Sequence, residues 1–426
     1  MTQIICKERL CTGCGACFQI CPQSAISMTA NDEGFLYPHI DEKLCNNCGL
    51  CRRTCPVNRV VPVTETTVNA FITEEGTEAA DAGDFIETAT TRKDGRAGKA
   101  EATRSAAQHK VYASYSGDDA VRAKSSSGGV FTELALSVLR ENGVVFGAVF
   151  DSDFRVSHSF IDNEPDLDGL RRSKYVQSDT KTTFCEVRAF LKEGRRVLYC
   201  GTPCQIAGLK AYLNREDPKL LTCDLACHGV PSPKVWGMYL DYIRDKYSSA
   251  IKDVSFRDKS TGWNDSSMRI DFEDGRRYMD RVKRETFFIG FGKSVFNRKS
   301  CFDCQFRIDQ TKADITLADF WGIDRQDDKE YSDNKGVSLV IVHTAAGNEA
   351  LYSIADKLFM KERSLDEAVR FNPRLVSSVK EPAGRISFFN DMQAEYSFDR
   401  LKRKYMDNES IRYKVKGLLK RILGKG

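Results

Sequence analysis

The chain has 426 residues, 41% hydrophobic and 29% charged, a net charge of +4 and 16 cysteines. This composition excludes a disordered polypeptide, and no apolar run is long enough to suggest a bilayer-spanning helix. The opening MTQIICKERL lacks the apolar core of a secretory signal. The expected location is therefore the cytoplasm, where reduced cysteines point to metal ligation or redox chemistry rather than disulfides.

In chain order, the first elements are two copies of C-x2-C-x2-C-x3-C-P, CTGCGACFQICP from Cys11 and CNNCGLCRRTCP from Cys45. Four soft thiolates satisfy the irons of a 4Fe-4S cubane, whereas a cysteine triplet suits the separated pairs of a zinc knuckle poorly. Residues 1–57 resemble the bacterial two-cluster ferredoxin module, in which the fourth cysteine of each run serves the other cluster. On that pattern Cys11, Cys14, Cys17 and Cys55 hold one cluster, and Cys45, Cys48, Cys51 and Cys21 the second. Gly13, Gly15 and Gly49 let the backbone turn tightly and aim N–H groups at sulfur. Cys6 lies outside the repeat and is expected to be a small buried hydrophobe.

Residues 58–110 are rich in Thr, Ala, Glu and Gly, with little periodicity. They are expected to form a flexible linker. From residue 111 the pattern is that of a folded body. SSSGGVFTELALSVLREN predicts a capped amphipathic helix and VVFGAVFD a buried strand. TFCEVRAFLKEG reads as helix, RRVLYC as strand, PCQIAGLKAYLNRE as a helix opened by Pro, KLLTCDLAC as strand and SPKVWGMYLDYIRDKY as helix. This alternation predicts an α/β layered body whose strands feed loops at one sheet edge. Two such loops place Cys204 and Cys227 at helix starts, where partial positive charge favours a thiolate or a phosphate. The Ser-Gly run at 125–129 is a weaker anion signal. CFDC at Cys301 and Cys304 lacks two companions for a metal. Cys204 and Cys227 could supply them; four unrelated buried cysteines are the alternative.

SSSGGVFTELA, SKYVQS, GTPCQIAGLKAYL, CHGVPSPKVW, FRDK, the CFDC pair and DITLADFWGI occur in the order found in the coenzyme F-420 hydrogenase/dehydrogenase β-subunit family. The chain resembles the bacterial branch of that family, in which an N-terminal two-cluster 4Fe-4S ferredoxin domain precedes the body. The fold class expected is thus α+β/α/β: a bacterial two-cluster ferredoxin fold at 1–57, a linker at 58–110, a mixed α/β flavin-binding body at 111–395 and a basic amphipathic tail at 396–426. Ala318 stands where the family usually has glycine.

The resemblance implies FAD in the body and a third 4Fe-4S cluster on Cys204, Cys227, Cys301 and Cys304, with Cys185, Cys200 and Cys223 left in the core. It implies FAD contacts at Ser127, Gly128, Gly129, Lys174, Tyr175, Thr202, Pro203 and Trp321, and catalytic candidates in His228 and Asp319. The expected function is an iron-sulfur flavoprotein oxidoreductase passing electrons between ferredoxin-type clusters and FAD. Its expected partners are an electron donor such as ferredoxin or another redox protein and a small organic substrate linked to polysaccharide biosynthesis. An electron-transfer subunit serving a partner enzyme is the alternative, and a zinc-stabilised interaction module is the reading from another class. The segment from Tyr396 carries ten Lys or Arg against three acids. Ile411, Val415, Leu418, Leu419 and Ile422 share one helical face there, so either peripheral contact at the inner membrane surface or a partner-docking or domain-capping helix is expected, with an oligomer a separate expectation. Nucleic-acid binding is not expected, because basic residues along the body are not interleaved with exposed aromatics.

Overall fold

The structure is a computed structural model that describes residues 5–60, 109–323 and 329–407. The linker except for its ends, and the tail beyond residue 407, lie outside the described residues. Residues 5–60 and 110–407 form one compact unit.

The N-terminal part folds around its two cysteine runs. Helix α1 (Ala16–Gln19) and helix α2 (Leu50–Thr54) each start behind a left-handed glycine, Gly15 with φ 74° and Gly49 with φ 71°. These turns bring successive thiols to one side. Strands β1 (Ile26–Ala30) and β2 (Leu36–Ile40) pair antiparallel, Ile26 opposite Ile40, and close the module.

The body is built on an eight-stranded mixed sheet. Its strands are β3 (Lys110–Ser116), β4 (Val144–Phe150), β5 (Val156–Ile161), β6 (Val197–Cys200), β7 (Leu220–Leu225), β11 (Ile315–Asp319), β12 (Ser338–Val342) and β13 (Leu358–Arg363), in the order β13-β3-β12-β11-β7-β6-β4-β5. The four central strands β11, β7, β6 and β4 run parallel, and the flanking ones antiparallel. Covered on both faces, β12 is buried throughout as Ser-Leu-Val-Ile-Val, the pattern of a sandwiched strand. Helices α3 (Val130–Arg140), α4 (Thr183–Lys192), α5 (Pro203–Leu213) and α6 (Pro233–Tyr247) follow strands as the alternation predicts. Helix α3 differs in detail: Gly129, at φ 99°, occupies its start, and no serine side chain caps it.

A smaller antiparallel sheet of β8 (Ile251–Asp258), β9 (Ser267–Phe272) and β10 (Arg277–Arg281) joins α6, α7 (Thr286–Gly292) and α8 (Gly384–Gln393) in an aromatic core around Trp236, Phe256 and Phe287. Phe398, Leu401 and Met406 are buried in that same core, so the described part of the basic segment packs against the body. Among the described residues, no helix is long and apolar enough to cross a membrane.

The N-terminal module docks on the body through specific polar contacts. Gln19 Oε1 accepts from Phe184 N at 2.8 Å, Thr180 Oγ1 donates to Cys14 O at 3.0 Å, and Gln177 Nε2 donates to Thr12 O at 3.0 Å. Arg385, fully buried, grips both oxygens of Glu33 with its two Nη groups. A bidentate pair of this kind fixes orientation as well as distance.

Candidate redox centre

Two thiol groups in the N-terminal module follow the crossed pairing of the repeat. Cys11, Cys14, Cys17 and Cys55 line one cavity, and Cys21, Cys45, Cys48 and Cys51 line another. The first group is buried, while Cys48 of the second is exposed. Cys6 shares the inner cavity and is only half-buried, which corrects its expected role as a core filler. Its thiol lies within hydrogen-bonding reach of those of Cys11 and Cys55, and chiefly through that contact the Cys11 thiol is lowered to about 6. Burial pushes Cys14 up to about 12. Buried thiols of this kind release protons when they ligate metal, so metal loading is coupled to pH.

A third group assembles from three distant segments. Cys204 sits in the first turn of α5, whose start is held by Pro203 and by a capping box between Thr202 and Gln205. Cys227 follows β7, and Cys301 and Cys304 lie on a short turn after Arg298. All four line one cavity, together with Thr12 from the N-terminal module. Burial raises all four thiols, Cys301 to about 12 and Cys304 to about 11, and each feels at least one of the other three or the nearby Arg298. Among the described residues, no three His, Cys, Asp or Glu gather around a single-ion position.

The inner and third groups adjoin. A Cβ on Gly208, one turn beyond Cys204 on α5, would lie 3.0 Å from Cys14 Sγ. Only a glycine lets the thiol rest against the helix backbone at this point.

Beside the third group opens a cavity of about 790 Å³, within the range of ligand pockets. It lies where β6, β7 and β11 end, the usual ligand position in a parallel sheet. Among the described residues, Arg171, Arg172, Lys174, Arg257 and Lys283 line it against Asp265 and Asp319, an excess of cations that favours an anion. Thr12, Cys204 and Cys227 belong to both this cavity and the four-thiol cavity.

Of the expected flavin contacts, Ser127, Gly129, Lys174, Tyr175, Thr202 and Trp321 line the large cavity, and Pro203 lines the four-thiol cavity. Gly128 lines neither. It lies against the sheet, where a Cβ would come within 2.4 Å of Ser114 O. Lys174 Nζ donates to the carbonyls of Gly169, Arg171 and Arg172, which shapes its own loop, and burial lowers it to about 7. Tyr175 packs edge-on against Phe256 and Phe288. His228 lines the cavity, with its imidazole held below its ordinary value by burial. Asp319 is tied to the buried Arg257 and accepts from Trp263 Nε1 at 2.6 Å. Trp263 stacks on Trp321 at 4.9 Å, so these four residues form one braced wall.

Sequence reasoning missed Thr12, Gln177, Arg298 and His158. Buried His158 bonds Ser178 Oγ through Nδ1 and Cys200 O through Nε2, at 2.7 and 3.0 Å. The second contact requires Nε2 to carry the proton. Thr12 and Gln177 lie inside quoted motifs that do not mark them out, and Arg298 and His158 lie in none; only the fold reveals their contacts.

Thiol groups running from the surface to an anion-favouring cavity define an iron-sulfur protein of the oxidoreductase and electron-transfer class. Residues 10–59 match the model of a 4Fe-4S dicluster domain. Residues 194–368 match the model of the C-terminal region of the coenzyme F420 hydrogenase/dehydrogenase beta subunit. Over those residues the chain is similar to that family, with the dicluster match in front. No curated protein matches it. Among solved structures it is similar to a chain of the F420-reducing NiFe hydrogenase complex from Methanosarcina barkeri, studied as a xenon derivative. The two are 18% identical over 70% of this chain and 90% of that one, with a TM-score of 0.42.

Proposed function

We propose that the protein is an iron-sulfur flavoprotein oxidoreductase with a surface 4Fe-4S cluster on Cys21, Cys45, Cys48 and Cys51, an inner one on Cys11, Cys14, Cys17 and Cys55, and a third on Cys204, Cys227, Cys301 and Cys304. FAD and a small anionic organic substrate occupy the large cavity. The observation that carries this reading is the sharing of Thr12, Cys204 and Cys227 between the four-thiol cavity and the large one. A flavin so placed supplies exchange between one-electron and two-electron chemistry.

The chain's own residues do the positioning. The exposed run around Cys48 is the uptake point for electrons from a donor such as ferredoxin. Gly208 keeps the inner and third thiol groups in contact, and the capping box at Thr202 fixes Cys204. Arg171, Arg172 and Lys283 set the charge that receives pyrophosphate, while Asp319 holds Arg257 in place and acts as a positioning residue. His228 is the proposed proton carrier by its place in the cavity wall. A sugar-linked acceptor, as in polysaccharide assembly, is the substrate class proposed.

Reduced ferredoxin, too large to enter the cavity, provides the test. It should bleach the flavin absorbance of the full chain quickly and that of Cys301→Ser only slowly; equal rates in the two would overturn this route. A second reading, a subunit relaying electrons to a partner enzyme, is favoured by the exposed Leu44, which precedes Cys45 in the run that carries exposed Cys48 and suits a docking contact. Turnover of the isolated chain with an artificial donor decides between the two.

A further inference from the structure

Arg298 is fully buried, and its partners are unusual for a buried cation. Its Nε donates to Cys11 O at 2.8 Å, Nη1 to Gln177 Oε1 at 3.1 Å, and Nη2 to Leu36 O at 2.9 Å, with Cys11 Sγ at 3.7 Å from Nη2. Its guanidinium lies 4.1 Å from the ring centroid of Tyr37 and 5.4 Å from that of Phe35. None of these partners is a carboxylate. A buried charge held only by neutral groups is costly unless some other negative charge faces it.

Two candidates for that charge lie on either side. Arg298 touches Cys11 of the inner thiol group and lines the cavity of Cys204, Cys227, Cys301 and Cys304. Its own position is fixed from below, because its backbone N–H donates to Val230 O at 3.1 Å and its carbonyl accepts from Cys301 N at 3.0 Å. The guanidinium therefore stands between two sites that would be anionic once thiolates and iron-sulfur cores fill them.

We propose that Arg298 is the residue that sets the reduction potentials of the inner ferredoxin cluster and of the third cluster together. This rests on the cluster assignment above. A fixed cation favours the more negative, reduced form of each cluster, so it raises both potentials. Cys21, Cys45, Cys48 and Cys51 have no such neighbour among the contacts of Arg298. The outer cluster should therefore be indifferent to it, and electrons are drawn inward.

Redox titration of the full chain followed by electron paramagnetic resonance tests this. In Arg298→Gln the inner and third signals should shift to lower midpoint potential while the outer one stays in place. Arg298→Lys, which keeps the charge and loses the fork of hydrogen bonds, should retain most of the parent values. Equal shifts in the Gln and Lys variants would mean that shape rather than charge matters, and would overturn the proposal. If the Gln variant loses its iron, Arg298→His takes its place: at pH 9 it should titrate lower than the Lys variant, and equal potentials would again overturn the idea.

Iron content of the same samples separates this from failure of the cluster assignment. About eight irons with a shifted inner signal would remove the third cluster and keep the role of Arg298 at the inner one. About twelve irons with unmoved potentials would keep the clusters and remove that role.

Discussion

Thr12 lines three cavities at once, the inner thiol cavity, the four-thiol cavity and the large one, although nothing in CTGCGAC marks it out from other loop residues. At this scale the decisive quantities are single contacts. A methyl group on Gly208 would press on Cys14 Sγ at 3.0 Å. Gly208→Ala should therefore lower iron retention at the inner site, read as a loss of that cluster's resonance signal with the outer one intact. Gly128→Ala meets Ser114 O at 2.4 Å and Ser338 N at 2.8 Å, both backbone atoms that cannot swing away. It should destabilise the body by about 1–3 kcal/mol, seen as a lower urea midpoint. Asp319→Ala leaves Arg257 buried and unpaired, at a cost of roughly 3 kcal/mol, and should also weaken flavin retention on gel filtration. The repeat cysteines were legible because their spacing is itself the chemistry. Arg298 and Gln177 were not, since their partners are far away along the chain and leave no local pattern.

At the scale of elements, the run from α3 to α6 could be read from periodicity because each strand is a short apolar block and each helix an amphipathic one. Strands β3, β12 and β13, which flank the parallel core, were not anticipated, nor was the sheet of β8 to β10. Pairing between segments as distant as β3 and β12 is set by the tertiary fold rather than by any local signal. The expected cap on α3 failed because left-handed Gly129 lets the chain turn into the helix behind Gly128, which is wedged against the sheet.

Helix α7 adds a pH dependence. Its N-cap Glu285 accepts from Phe288 N at 3.0 Å and from Tyr239 OH at 2.9 Å, and burial pushes its carboxyl up from 4.5 to about 7. Between those values the native state keeps a proton that the unfolded chain has released. Stability therefore falls as pH rises through that window. Urea midpoints measured across it should decline in the parent and flatten in Glu285→Gln.

For the whole molecule, the two-part organisation was legible but the docking was not. A ferredoxin module on a long tether need not touch its body. The structure instead seats the module through Thr12, Cys14, Gln19 and Glu33, on residues spread from Gln177 to Arg385. This seating brings the inner thiols against α5 and makes a continuous path to the large cavity. Removing one partner of the buried Arg385 and Glu33 pair, as in Arg385→Met, should cost about 3 kcal/mol and loosen the seat. Hydrogen exchange would then rise in β1 and β2 ahead of the body strands.

The account depends on three clusters and a flavin in one chain. Iron, acid-labile sulfide and extracted flavin, measured on anaerobically purified full-length protein, test it most directly. The prediction is about twelve irons, about twelve sulfides and one FAD per chain. About eight irons, or a sample without flavin, would contradict it.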